Sequence, residues 1–295
     1  ISQVISNITS IPVGEASKEE PDRLLQLEER IKTKVIGQDE AIHEVVEVLK
    51  RARADVRDPN KPIGTFLFLG PTGVGKTLLA KTLNEEYFGT KEDIIRLDMS
   101  EYKEKGSIER LIGTSENKNA ITFLDKVKTN PYNAMIPDGP AATNAEILDL
   151  FLQVLDEGRM TNSSGETVDL NNSIIISTSN IGSKYLLESL QSAEMPFEKA
   201  KQKVLEDLKE SLRVEFINRF DHIVVFSPHD PKRLAEIADL LLKQLKERIS
   251  EKGITLKWDK PLLTELAKQA DDPGMGARPL RRFIQEKIEG AIATK

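Results

Sequence analysis

The chain has no cysteine among its 295 residues, which excludes disulfides and cysteine-based metal sites while naming no compartment. No stretch approaches the ~20 apolar residues a membrane helix needs, and no signal peptide opens it. There is no basic excess. A net charge of −6 argues against a nucleic-acid binder, which usually carries a basic face. Internal repeats and low-complexity segments are absent. Histidine is scarce: His43, His222 and His229 share no ligand spacing and read as surface or packing residues. No Ser/His/Asp set is visible, and the acidic runs KEEPD (18–22) and DEGR (156–159) read as solvated helix ends. The chain begins at Ile1 rather than Met and is expected to be a fragment or a processed piece.

What is present suits a soluble protein with a packed core: 39% hydrophobic and 31% charged residues, at a length that accommodates a large and a small domain. Residues 1–20 read as an irregular arm. The leucine and isoleucine spacing predicts a helix over 21–34, with Leu24, Leu25, Leu27 and Ile31 on or near one face, and a second over 39–53. TFLFL (65–69) is a short continuous apolar run, the pattern of a parallel strand buried on both faces. Further strands are expected at 94–97, 173–177 and 223–226. Strands alternating with helices imply an α/β parallel sheet covered on both faces. Beyond residue 228 the pattern becomes helical. Asp230 reads as an N-cap with Pro231 in the first turn, and Leu234, Ile237, Ala238, Leu241, Leu245 and Ile249 form one stripe ended by Gly253. Hence the expected division is an arm (1–20), a large α/β domain (21–228) and a small helical lid (229–295) cut short at its C-terminus.

The segment Gly70-Pro71-Thr72-Gly73-Val74-Gly75-Lys76-Thr77 matches GxxxxGK[ST] and lies between a strand and a helix that continues through Leu78. Glycines let backbone N–H groups turn in around an anion, and the helix N-terminus adds partial positive charge. Lys76 is expected on the β- and γ-phosphates of ATP or ADP, and Thr77 on Mg2+.

Five segments around this loop carry a resemblance: VIGQDEAI (35–42), the loop with its lead-in (57–77), LQVLDEGRMTNSSGETVD (152–169), STSNIGS (177–183) with EFINRFDHIVVF (215–226), and GARPLRR (276–282). Together they resemble the second ATPase domain of the Clp family of AAA+ unfoldases and disaggregases, ClpB-, ClpC- and ClpE-like, nearly end to end. The resemblance implies a three-layer P-loop AAA+ domain with a helical lid. It also implies a cytoplasmic or organelle-matrix chaperone ATPase that works as a homo-hexamer on unfolded or aggregated polypeptide. By that resemblance Val35 and Ile36 pack on adenine, with Ala277 and Arg278 contributing from the lid. Asp138 organises Mg2+ with Thr77, Asn180 polarises the attacking water, and Arg219 is an arginine finger for a neighbouring subunit. Arg278 acts as second sensor.

Three departures stand out. The position expected to hold the water-activating glutamate is Gly139, so a second reading is a module that binds ATP and assembles but hydrolyses poorly. Pro137 and Pro140 flank it, and because proline donates no ladder hydrogen bond the strand is expected to break after Ile136. TSENKNAIT (114–122) lacks the pore-loop aromatic, and Tyr102 and Tyr132 do not replace it. The stretch 184–214 also lacks the apolar-Gly-Phe tripeptide of protease-docking members, which points away from a protease partner. A small-molecule kinase shares the phosphate loop but leaves Asn180, Arg219 and GARPLRR unexplained.

Overall fold

The computed structural model describes residues 24–53, 58–89, 94–102, 104, 108–113, 122–139, 145–269, 272 and 274–293. The expected arm and nearly all of the 114–122 segment lie outside the described residues.

The elements in chain order begin with α1 (Leu27–Lys34), α2 (Asp39–Arg53), β1 (Gly64–Leu69), α3 (Lys76–Phe88) and β2 (Ile95–Asp98). A 3-10 turn (Met99–Tyr102) leads to α4 (Ile108–Ile112), α5 (Phe123–Thr129), β3 (Ala134–Asp138) and α6 (Ala145–Glu157). The hairpin β4 (Arg159–Thr161) and β5 (Thr167–Asp169) precedes β6 (Ile174–Ser179), α7 (Ser183–Gln191), α8 (Phe197–Ser211), α9 (Val214–Ile217) and β7 (His222–Val225). The last helices are α10 (Pro231–Ser250), α11 (Lys260–Gln269), α12 (Arg278–Phe283), and α13 (Gly290–Ala293) after a π turn.

Strands β2-β3-β6-β1-β7 form one parallel sheet in that order. Successive side chains of a strand point to opposite faces, and the core divides accordingly. Phe66, Phe68, Ile174, Ile176 and Ala134 join one cluster with α1, α2 and α3. Leu67, Leu69, Ile175 and Met135 join the other with α5, α6, α8 and α9. Covering both faces leaves every residue of β1 and β6 buried, which suits the apolar runs FLFL and III within them, as expected of the α/β class. A third, separate cluster (Ala238, Leu242, Leu245, Ile249, Leu266, Leu280, Ile284) belongs to the helices after β7.

Local signals behave as their chemistry requires. Asp230 caps α10 by accepting the Arg233 N–H at 2.7 Å, with Pro231 in the first turn. Along α10 the buried stripe is Leu234, Ala238, Leu242, Leu245 and Ile249. Leu242 takes an inward position that was not expected, while Ile237 and Leu241 pack at its margin. Leu25, expected near the apolar face of the first helix, is instead 68% exposed.

Strand β3 corrects one expectation. It does not break after Ile136 but continues through Pro137 to Asp138, paired with β2 at Ile95↔Met135, Arg96↔Ile136, Leu97↔Pro137 and Asp98↔Asp138. On the β6 side the ladder pairs Ala134, Met135 and Asp138 and skips Ile136 and Pro137. Gly139 N–H donates to Thr178 O at 2.9 Å, and the two-residue period puts residue 137 on that same side. The donor that proline lacks is therefore one bond toward β6, while pairing with β2 and the flanking pairs with β6 hold the strand in place.

Candidate functional site

The sheet register brings the C-terminal ends of all five strands level. Leu69 of β1 lies opposite Ser179 and Val225, and Asp138 lies opposite Thr178 and Asp98. In open α/β sheets this edge is where ligands bind. The glycine loop springs from its centre. Gly73 (φ +77°) and Gly75 (φ +108°) hold the left-handed backbone that bends the chain into α3, and Gly75 caps that helix without a side chain. The first backbone N–H groups of α3 have no intrahelical acceptors and carry the positive end of the helix dipole. An anion-binding cradle results.

Within it, Lys76 Nζ donates to Gly70 O at 2.6 Å, Pro71 O at 2.8 Å and Asn180 Oδ1 at 2.9 Å. Asn180 is the exposed residue just past β6, held in a turn by the Ser183 hydroxyl on its carbonyl at 2.6 Å. The fold thus brings together two residues 104 positions apart, Lys76 pointed out by the phosphate-loop motif and Asn180 by the family resemblance. Pro71 and Val74 are buried, Thr72, Gly73 and Thr77 are half-buried, and Leu78 is 39% exposed at the start of α3. Asp138 ends β3 at the same edge, with its backbone opposite Thr178. Gly139 has φ +75°, and a Cβ built on it would meet nothing within 4 Å.

Val35 and Ile36 follow α1. Val35 is buried and lies 3.8 Å from where a Cβ on Gly75 would sit; Ile36 is half-buried. Gln38, from the same short segment, was not singled out in the sequence. It is buried, donates to Val74 O at 3.0 Å and Ser227 O at 2.8 Å, and accepts the Ser227 N–H at 3.1 Å. Next to it, the Arg233 guanidinium donates to the carbonyl of Gly37. His229, read as surface or packing, is buried beside Val74, with no hydrogen-bond partner at Nδ1. Burial, then the nearby Arg233 charge, lowers its pKa to about 4, so it is neutral near pH 7.

The loop before α12 lies directly on the glycine loop. Ala277 N–H donates to Gly73 O at 3.1 Å. A Cβ on Gly73 would lie 2.1 Å from Met275 O, and one on Gly276 would lie 2.8 Å from Thr72 O and Gly73 O. Two glycines facing each other permit this backbone-on-backbone approach. Arg278, the first residue of α12, is exposed, with no side-chain hydrogen bond or ion pair among the described residues.

Arg219 is not in this cluster. Its carbonyl accepts Thr65 Oγ1 at 3.1 Å at the N-terminal end of β1, and its guanidinium pairs with Asp156 Oδ1 at 2.8 Å. Thr65 and Gly70 are five positions apart along β1 and its end, roughly 17 Å at ~3.3 Å per residue.

Residues 61–223, more than half of the chain, match the family described as the AAA domain of the Cdc48 subfamily, and residues 230–295 match the C-terminal D2-small domain of ClpB protein. The chain is 45% identical over 304 residues to a chaperone protein ClpB from Aquifex aeolicus, covering 100% of this chain and 30% of that protein. It is 44% identical over 297 residues to one from Clostridium tetani, covering 99% and 34%. The chain therefore spans about a third of the length of these curated relatives. Among solved structures it resembles closed-state Hsp104 with ATPγS and FITC-casein, with a TM-score of 0.86, 31% identity and coverage of 99% of this chain and 51% of that one. It also resembles the extended S. cerevisiae Hsp104:casein complex, with a TM-score of 0.87, 32% identity and coverage of 100% and 51%.

Proposed function

Because the chain belongs to the AAA family, as a ClpB-like second AAA domain with its small C-terminal domain, we propose that it binds and hydrolyses ATP within a ring and uses the cycle to remodel polypeptides. The observation that carries this reading is the meeting of Lys76 and Asn180 at the C-terminal edge of the sheet, on a glycine loop shaped for phosphates. In use, Lys76 leaves the Gly70 and Pro71 carbonyls for the phosphate oxygens. Asn180 then lies beside the γ-phosphate, where its amide orients the attacking water. Water oxygen bonds to phosphorus, the bond to the ADP oxygen breaks, and phosphate leaves.

Mg2+ fits the donors present. Thr77 and Asp138 would offer hard oxygen ligands of the kind Mg2+ prefers. When bound it would neutralise charge on the phosphate oxygens. Val35 and Ile36 flank the base, Ala277 ties the lid (229–295) to the phosphate loop of the large domain (21–228), and Arg278, exposed at the start of α12, serves as the second sensor that reads the nucleotide.

Arg219 sits at the wrong end of β1 to serve its own nucleotide. We assign it as a finger for the neighbouring subunit, which makes a ring, a homo-hexamer by relationship, the working unit. The same relationship supports an unfolded or aggregated polypeptide as substrate and a cytoplasmic or organelle-matrix setting.

Gly139 favours a second reading: a module that holds ATP and assembles but turns over slowly, because no side chain activates the water at that position. Steady-state Mg-ATP hydrolysis by the parent and by Gly139→Glu separates the two. Turnover in the parent supports the motor; a silent parent with an active variant supports the holding module. Silence from both, with ADP still bound, removes hydrolysis from the function.

A further inference from the structure

Helix α6 carries two aspartates seven residues apart, Asp149 and Asp156, which two helical turns place on one face. Each pairs with an arginine flanking the short helix α9. Arg213 Nη2 meets Asp149 Oδ1 at 2.6 Å, and Arg219 Nη1 meets Asp156 Oδ1 at 2.8 Å. The backbone beneath Arg219 is fixed from two directions. Phe216 and Phe220, both buried, stack edge-to-face at 5.2 Å, and Thr65 Oγ1 holds the Arg219 carbonyl. The side chain itself is 46% exposed, and among the described residues Asp156 is its charged partner, at 30% exposure. A guanidinium has five N–H donors in a rigid fork, and the contact with Asp156 engages Nη1.

We infer that Asp156 is a positioning residue for Arg219: it sets the direction of the guanidinium so that the remaining donors meet a phosphoryl group on the neighbouring subunit. The inference rests on the assignment of Arg219 as a finger in trans. A pair this exposed adds little to stability, so its effect falls on geometry. Misplacing a reacting group by about 1 Å costs on the order of a hundredfold in rate. Asp149–Arg213 is a built-in comparison, with the same chemistry on the same helix face but no finger.

The test measures affinity for ADP and for ADP with aluminium fluoride, a mimic of the transferring phosphoryl group, in the intact protein at concentrations that favour assembly. Light scattering follows particle mass. This readout does not require turnover. The parent binds the mimic more tightly than ADP, and Arg219→Ala abolishes that gain. Asp156→Asn reduces the gain by roughly ten- to a hundredfold with ADP affinity and particle mass unchanged. Asp156→Glu restores part of it, and Asp149→Asn leaves it intact. Where the protein turns over, kcat falls in Asp156→Asn while KM for ATP holds. A full gain in Asp156→Asn overturns the inference and leaves the finger standing. So does an equal loss in Asp149→Asn, or a loss of particle mass in Asp156→Asn. An undiminished gain in Arg219→Ala overturns the finger assignment and this inference with it.

Discussion

Gln38 and Ser227 hold each other through two hydrogen bonds, the Gln38 amide on the Ser227 carbonyl at 2.8 Å and the Ser227 N–H on the Gln38 amide oxygen at 3.1 Å. The residues are 189 positions apart. Since Gln38 also donates to Val74 O, one side chain ties the phosphate loop to the segment that leads from β7 into α10.

Replacing Gln38 by Leu removes three hydrogen bonds to backbone, one to the buried Val74 carbonyl and two to the half-buried Ser227, and a backbone group left without a partner costs roughly 1–3 kcal/mol. We expect a cooperative loss of about 2–4 kcal/mol in chemical unfolding, with weaker ADP binding because Val74 belongs to the phosphate loop. An unchanged unfolding midpoint would show that the tie contributes nothing.

Gly276→Ala lies outside the phosphate motif yet places a methyl 2.8 Å from Thr72 O and Gly73 O, at φ +56°. The lid loop must lift. Calorimetric titration should show ADP affinity falling by about tenfold or more, equivalent to the roughly 1–2 kcal/mol strain of a side chain at positive φ together with the clash. Gly73→Ala is expected to do worse, because its methyl meets Met275 O at 2.1 Å. Normal ADP affinity in Gly276→Ala would mean that the lid loop does not press on the phosphate loop.

His229 gives the protein an acid-sensitive joint. Its folded pKa, about 4, lies below the ordinary 6.5. The folded state therefore binds fewer protons than the unfolded state between those values, and stability rises with pH across that window. It is complete above about 6.5 and falls away toward pH 4, by up to roughly 3 kcal/mol. Arg233 and Asp230 are the charges facing the ring, the first opposing and the second favouring protonation. Thermal unfolding followed from pH 7 to pH 4 should fall less steeply in His229→Leu than in the parent; parallel curves would remove His229 as the cause.

The parts legible in the sequence were those governed by local rules. TFLFL followed by a glycine loop announced β1 and its phosphate cradle, and SNIG after a buried run put Asn180 at a strand end. Asp230 with Pro231 announced α10. Gln38 was not legible because its partners come from Val74 and Ser227, and no short-range pattern encodes a contact of that span. The run DEGR was half right as a solvated end: Glu157 and Arg159 pair with each other at the surface at 2.9 Å, whereas Asp156 reaches back to Arg219. His229 looked bland because burial is a tertiary property. Pro137 misled for an instructive reason. The rule against interior proline counts the missing bond but not the neighbours, and here β2 pairs with the proline position while Gly139 restores bonding toward β6 two residues on.

That interior proline also changes what kind of object the sheet is. Continuous hydrogen bonding joins β2 to β3, and β6 to β1 to β7, but between β3 and β6 the stitching is confined to the two ends of the contact. The bond that Pro137 cannot donate lies one residue short of Asp138, so the strand ending there is tied to β2 residue by residue but to β6 with a gap just before the ligand-binding edge. Across that gap the two strands still meet through their side chains, Met135 and Ile175 in one core cluster and Ala134 and Ile174 in the other.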